Sequence, residues 1–143
     1  MQRGRRIAFD YGDVRIGVAI SDLSGMLATP HGIILNQDGF LNELKALVTE
    51  YEPIYFAVGM PKHLSGAKSQ KMDSVKEFIE VLRSEFSLPI HEIDERLSTV
   101  SAARNLRASG KNSKESKSLI DAAAAATILE MALDQEKAGG LHE

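Results

Sequence analysis

Three acidic positions in this sequence have the residue type and the placement to do chemistry on phosphate esters. Asp10 ends a short apolar run, and Asp121 directly precedes five consecutive alanines. Asp94 and Glu95 together follow a second apolar run. Clustered carboxylates repel one another and need a cation, and hard oxygen ligands select Mg²⁺ or Mn²⁺. Two such ions can activate a water and stabilise the leaving oxygen when a phosphodiester bond is cleaved.

Each of these positions also has a purely structural interpretation. Asp10 can accept hydrogen bonds in the turn that follows it. The acidic pair 94–95 can stabilise the positive N-terminus of a following helix. Ser118 and Asp121 have the spacing of a capping box at the start of the last helix. Both interpretations remain open at each position when it is taken alone.

The apolar pattern indicates an α/β chain that alternates after three initial strands. The predicted strands are 5–10, 15–21, 31–36, 54–58 and 89–93, and the predicted helices are 39–52, 72–86, 97–109 and about 116–136. Gly12, in the turn of the first hairpin, is free to adopt a positive φ. The third strand is expected to begin only after the break at Thr29 and Pro30.

The order of these elements predicts a mixed five-stranded sheet with helices on its faces. The first three strands can form an antiparallel meander, whereas the last two need crossover helices and should be parallel. The acidic positions would converge at one end of the sheet if the first and last strands were central neighbours. The five alanines after Asp121 would let the last helix approach the sheet closely.

Composition predicts a single domain spanning 1–143, with a flexible tail after about residue 134. The chain has no cysteine, which excludes disulfides and thiolate zinc sites and is consistent with the cytoplasm. No signal peptide is visible, and no apolar run approaches the roughly 20 residues that span a bilayer. The net charge is −3, but basic residues concentrate in 62–76 and 104–117. These segments are candidate contacts for a polyanion, or solvated helix faces.

Four motifs in this order resemble the YqgF/RuvX family of pre-16S ribosomal RNA nucleases, also described as Holliday-junction resolvase-like proteins. The resemblance extends from Ile7 to about Leu133. The motifs are FDYGDVRIGVAISD (9–22), VGMPKHLSG (58–66), DERLST (94–99) and KSLIDAAAAATILE (117–130).

The resemblance implies an RNase H-like fold with Asp10, Glu95 and Asp121 as catalytic carboxylates that bind Mg²⁺ or Mn²⁺, in a site for two ions. Glu95 is preferred to Asp94 because the matching acid of the superfamily often lies just past its strand. The implied contacts to nucleic acid are Arg15, Lys62, Arg96, Lys111, Lys114 and Lys117. The implied activity is endonucleolytic processing of the 5′ end of pre-16S rRNA in the cytoplasm, by a monomer or a homodimer without membrane association.

Other functions remain as alternatives at this point. One is a Holliday junction resolvase that acts on branched DNA, and another is a non-catalytic RNA-binding or assembly factor that keeps the fold. Phosphotransfer or ATP hydrolysis is disfavoured, because related ATPases pair two such domains and this chain has no Walker-type loop. A histidine-based enzyme is disfavoured too, because the four histidines lack metal-ligand spacing.

Overall fold

The computed structural model describes residues 2–61, 70–95 and 114–141. Its elements in chain order are β1 (Arg6–Tyr11), β2 (Arg15–Ser21), β3 (Ala28–Leu35), α1 (Phe40–Tyr51), β4 (Tyr55–Met60), α2 (Gln70–Glu85), β5 (Ile90–Asp94) and α3 (Lys114–Lys137). The predicted helix over 97–109 lies outside the described residues. No helix in the described part of the chain is long and apolar enough to cross a membrane.

The five strands form one mixed sheet in the order β3-β2-β1-β4-β5. β1 pairs with β2 and β2 with β3 in antiparallel register, whereas the β1–β4 and β4–β5 pairs are parallel. The predicted fold class is therefore confirmed. The first and last strands are not neighbours, because β4 lies between β1 and β5. β1, β4 and β5 nevertheless run in the same direction, so their C-terminal ends share one edge.

Helices cover both faces of the sheet, so the central strands are buried on both sides. On one face, the side chains of α1 and α2 pack on large apolar residues such as Phe9 and Phe56. On the other face, α3 packs on small residues, with Ala125 and Ala126 of the helix in the same cluster as Ala8 and Ala57 of the strands. We call these two sides the α1/α2 face and the α3 face. The expectation that the alanines bring the last helix close to the sheet is confirmed.

The third strand begins at Ala28, three residues before the predicted start at His31. Proline lacks a backbone N–H and is tolerated on edge strands, and β3 is an edge. The pairing with β2 is irregular here, since Val18 pairs with Gly32 and Ala19 with Pro30, which leaves one extra residue on β3. This bulge keeps Pro30 inside the strand.

An ion pair anchors the C-terminal part of α3 to the start of β1. The Arg6 side chain is fully buried, and it donates from Nε and one terminal nitrogen to the two Glu136 carboxylate oxygens, at 3.2 and 2.7 Å. The Tyr55 hydroxyl donates to the same carboxylate at 2.9 Å. Burial and this carboxylate together raise the pKa of Tyr55. The helix thus continues beyond residue 134, where a flexible tail was expected, and it is held by these contacts.

Candidate active site

Asp10 lies near the end of the central strand and faces α3. Asp10 as a whole residue is only 6% exposed. In the antiparallel register Asp10 is opposite Gly17, and directly opposed residues point to the same face. A Cβ on Gly17 would point into the backbone of α3 at Asp121, so this face is the α3 face. A carboxylate at a strand end in the middle of the sheet is held by the backbone on both sides, which favours a fixed position.

Glu95 reaches the α3 face from the edge strand, because Gly59 leaves room for it. Ile93 pairs with Gly59, and its side chain packs in the α3 cluster. A Cβ on Gly59 would lie 3.0 Å from the Glu95 Oε1 atom and 2.5 Å from Ile128 of α3. The Glu95 carboxylate therefore lies over β4, on the side where Asp10 also lies.

Asp94 belongs to the opposite side of the sheet. In the parallel register it is level with Met60, whose side chain is part of the core under α1 and α2. Successive residues of a strand alternate between faces, so Asp94 is directed to the α1/α2 face. The choice between Asp94 and Glu95, which rested only on resemblance, thus has a geometric basis that favours Glu95.

Asp121 is held by Arg15 on the same face. The Arg15 Nε atom donates to Asp121 Oδ2 at 2.8 Å, and the two side chains are 23% and 18% exposed. Asp121 is eight positions into α3, which begins at Lys114, so the capping-box interpretation with Ser118 is wrong. The helix begins earlier than the predicted residue 116.

Gly17 fixes the distance between α3 and β2. A Cβ at this position would lie 2.0 Å from the Asp121 carbonyl oxygen, well inside any allowed contact. The space beside Gly17 is not open to a metal or phosphate, because the helix backbone occupies it. Gly12 has no positive φ, contrary to expectation. It is required because a Cβ would lie 2.5 Å from the Arg15 carbonyl oxygen in the same hairpin.

Replacing Gly17 by alanine is expected to push α3 away from the sheet. Overpacking of this kind costs about 1–3 kcal/mol, and backbone against backbone belongs at the upper end. The displacement also moves Asp121 relative to Asp10, so any activity of the site should fall more than stability alone explains. Chemical denaturation measures the stability. The matched control is Gly140→Ala, where the new Cβ would meet only Gln135 at 3.4 Å. Equal stability of the two variants would contradict the close contact.

The candidate nucleic-acid contacts are only partly described. Arg15 lies at the site as given above, and Lys117 is exposed on α3, one turn before Asp121. Lys114 is the first residue of that helix. Lys62, Arg96 and Lys111 lie outside the described residues. For all six candidate residues, contact with a polyanion stays a prediction.

The three candidate ligands match a divalent cation in their chemistry but not in their spacing. Their chemistry fits, since all three are carboxylates, and so does their placement at one end of the α3 face. Their present spacing does not complete a site. Among residues 2–61, 70–95 and 114–141, no three Asp, Glu or His side chains lie close enough together to hold one metal ion. One of the two Asp121 oxygens accepts a hydrogen bond from Arg15 in this arrangement, which fixes the direction of the carboxylate.

Sequence reasoning missed the roles of two residues that shape this site. Gly59 was part of a quoted motif, but nothing in the motif indicated that Glu95 passes over it. The contact of Arg15 with Asp121 joins residues 106 positions apart. A signal for Gly59 was available in principle, because glycine inside a buried strand often marks a close approach.

Comparison with known proteins agrees over nearly the whole chain. The RuvX family model, described as Holliday junction resolvase, matches residues 4–135. A Streptomyces coelicolor protein named "Putative pre-16S rRNA nuclease" is 44% identical over 143 residues, covering 98% of this chain and 86% of that protein. A Streptomyces avermitilis protein of the same name is 45% identical, covering 98% of this chain and 92% of that protein.

Among solved structures, the fold is similar to RuvC of Thermus thermophilus in complex with a Holliday junction substrate. The TM-score is 0.57 at 17% sequence identity, and the match covers 96% of this chain and 97% of that one. Identity this low supports the RNase H-like fold alone. The family match and the identity to the two Streptomyces proteins carry more, and they confirm the resemblance seen in the four motifs: this chain belongs to the RuvX family.

Proposed function

We propose that this chain is a metal-dependent endonuclease that hydrolyses phosphodiester bonds and processes the 5′ end of pre-16S rRNA in the cytoplasm. The observation that carries the proposal is the placement of three carboxylates, Asp10, Glu95 and Asp121, at one end of one face of the sheet. The names of the Streptomyces relatives support a nuclease and the rRNA substrate. The absence of cysteine is consistent with the cytoplasm.

Asp10, Glu95 and Asp121 would hold Mg²⁺ or Mn²⁺, in a site for two ions. Bound there, such ions supply Lewis-acid activation of a water and charge stabilisation of the leaving oxygen. The fold of the chain holds the three carboxylates in place. The central strand fixes Asp10, the space above Gly59 admits Glu95, and the contact at Gly17 fixes the backbone of Asp121.

The basic residues around the site would hold the substrate backbone. Arg15 lies beside Asp121, and its planar guanidinium can fork two oxygens of a phosphate. Lys117 extends the positive charge along α3. The same role is proposed for Lys62, Arg96, Lys111 and Lys114. Contacts of this kind bind any sequence, so cleavage position would depend on the fold of the RNA.

A branched DNA junction is the second candidate substrate. It is favoured by the description of the matching family as Holliday junction resolvase. The same ions and carboxylates serve RNA and DNA, because the chemistry takes place at the phosphodiester. The two substrates differ in what they require of the assembly. A resolvase needs two active sites for two strands and so a homodimer, whereas an rRNA-processing enzyme can be a monomer.

The deciding experiment compares cleavage of a labelled pre-16S rRNA fragment and a labelled four-way DNA junction. Each is incubated with the wild-type protein in Mn²⁺ or in EDTA, and with Asp10→Asn in Mn²⁺. We expect the rRNA fragment to be cut only by the wild type and only with the metal. Light scattering of the same sample gives the number of chains per particle.

Each outcome has a definite meaning. Preferential cutting of the junction by a dimeric protein would replace the rRNA assignment with the resolvase. No cutting of either substrate by folded, metal-loaded protein would contradict the nuclease, and binding of the rRNA without cutting would point to an assembly factor. Cutting that survives in Asp10→Asn would remove Asp10 from the catalytic group.

A further inference from the structure

The carboxylate of Asp121 is engaged by the chain itself. Arg15 Nε donates to its Oδ2 atom at 2.8 Å. Arg15 is the first residue of β2, the second strand of the first hairpin, and Asp121 comes from α3. Both side chains remain partly open to solvent, at 23% and 18% exposure. The contact is therefore within reach of a bound polyanion.

This contact restricts the proposed role of Asp121. The hydrogen bond from Arg15 occupies a lone pair of Oδ2 and fixes the direction of the carboxylate, so the other oxygen can face an ion only in that one orientation. In the described part of the chain the acidic side chains form no group of three that can hold an ion, even though Asp10 and Glu95 lie on the same face. The described arrangement thus has the ligands in place without the spacing of a completed site.

The backbone of Asp121 has little freedom to move and so to change the spacing of the carboxylates. Its carbonyl oxygen lies 2.0 Å from where a Cβ of Gly17 would be, so α3 is already as close to β2 as a glycine permits. Ala125 and Ala126, one turn further along the helix, are buried against the sheet. The helix backbone is therefore in direct contact with the sheet at this level. A rotation of the Asp121 side chain away from Arg15 changes the direction of its carboxylate without moving the helix.

We propose that Arg15 holds Asp121 in a resting position, and that a backbone phosphate of the nucleic acid takes over the Arg15 guanidinium and releases Asp121 to complete the metal site. Arg15 is then a positioning residue that couples substrate binding to metal binding. The inference rests on the proposed function. A partly exposed ion pair is weak, so a phosphate that offers two oxygens to the guanidinium can displace it.

The test uses Mn²⁺ affinity as its readout, and this does not require activity. Titration calorimetry on the wild type, with and without a short phosphorothioate RNA that resists cleavage, measures the coupling. By thermodynamic linkage, the RNA and Mn²⁺ must change each other's binding affinity by the same factor. We expect the RNA to tighten Mn²⁺ binding about tenfold, within the usual range of such couplings.

Removal of the arginine should abolish the coupling. In Arg15→Gln, Mn²⁺ should bind more tightly without RNA than it does to the wild type, and RNA should change that affinity less than about twofold. The matched control is Lys117→Gln, which removes an equal charge one helical turn before Asp121. There the simple loss of a positive charge can raise Mn²⁺ affinity, but the tenfold coupling should persist. Equal coupling in both variants would overturn the proposal.

A measurement on the wild type does not depend on how the variants fold. In a ¹⁵N spectrum of the arginine side chains, the Arg15 Nε–H signal should move when the phosphorothioate RNA is added without metal. An unchanged signal with RNA bound would mean that Arg15 stays on Asp121, and the proposal would fail. Cleavage of the rRNA fragment by a protein that shows no coupling would contradict this inference alone. Failure of the wild type to bind either RNA or Mn²⁺ would contradict the proposed function as well.

Discussion

Replacing Glu136 by alanine is expected to lower the free energy of unfolding by about 3 kcal/mol. The variant leaves the Arg6 guanidinium fully buried without its carboxylate, with the backbone carbonyls of Gly4 and Gln2 as its remaining described hydrogen-bond acceptors. The penalty for an uncompensated buried charge is about 3–5 kcal/mol. We choose the lower end because Glu136 is 16% exposed, so water can reach the vacated space.

Urea denaturation of three variants separates this effect from a general effect on the helix. Glu130→Ala is the matched control, because Glu130 is an exposed glutamate of α3 that forms no ion pair with another described residue. Its stability should stay within about 0.5 kcal/mol of the wild type. The double variant Arg6→Met with Glu136→Leu should recover most of the loss, since apolar residues can replace a buried ion pair. Equal stability of Glu136→Ala and Glu130→Ala would show that the ion pair contributes nothing.

The largest effect on activity is expected at Glu95, and the same substitution at the adjacent Asp94 should have little effect. Glu95→Gln is expected to reduce metal-dependent cleavage by more than about 100-fold, the upper range seen when only a supporting contact of a metal ligand is lost. Asp94→Asn should keep activity within about a factor of five, because its side chain is directed to the α1/α2 face. The two substitutions make the same chemical change one residue apart.

Cleavage rates and Mn²⁺ affinity should be measured on both variants, with thermal melting to show that each is folded. Loss of cleavage in Asp94→Asn together with normal activity in Glu95→Gln would reverse the assignment of the ligand. A similar loss of cleavage in both variants would mean that both acids at the strand end are needed, whichever face of the sheet they are directed to. Reduced Mn²⁺ affinity in Glu95→Gln alone would support its place in the metal site.

Much of the fold follows from apolar patterning. The strand 15–21 was predicted to the residue, because its buried positions form a continuous run with a polar residue at each end. The start of α3 was less accessible. Lys117 and Leu119 are exposed, so the described positions at 117–119 show no continuous buried stripe that would mark the helix. The early start of β3 depends on its being an edge strand, which is a property of the whole sheet.

The sequence supplied the candidate ligands of the site but not their geometry. The family resemblance carried by four motifs selected Asp10, Glu95 and Asp121 as candidates. The passage over Gly59 and the contact between Arg15 and Asp121 depend on strand order and on the position of a helix far along the chain. Both are tertiary contacts, and local residue patterns carry little information about them.

The ion pair between Arg6 and Glu136 also affects when the protein can complete its folding during synthesis. A ribosome adds about 5–20 residues per second, so roughly 10 s separate the synthesis of these two positions. Throughout that interval the central strand has neither the carboxylate for Arg6 nor the alanine face of α3 to cover it. A sheet that forms before the last helix is made therefore has one uncovered face, and the α3 face can be packed only at the end of synthesis.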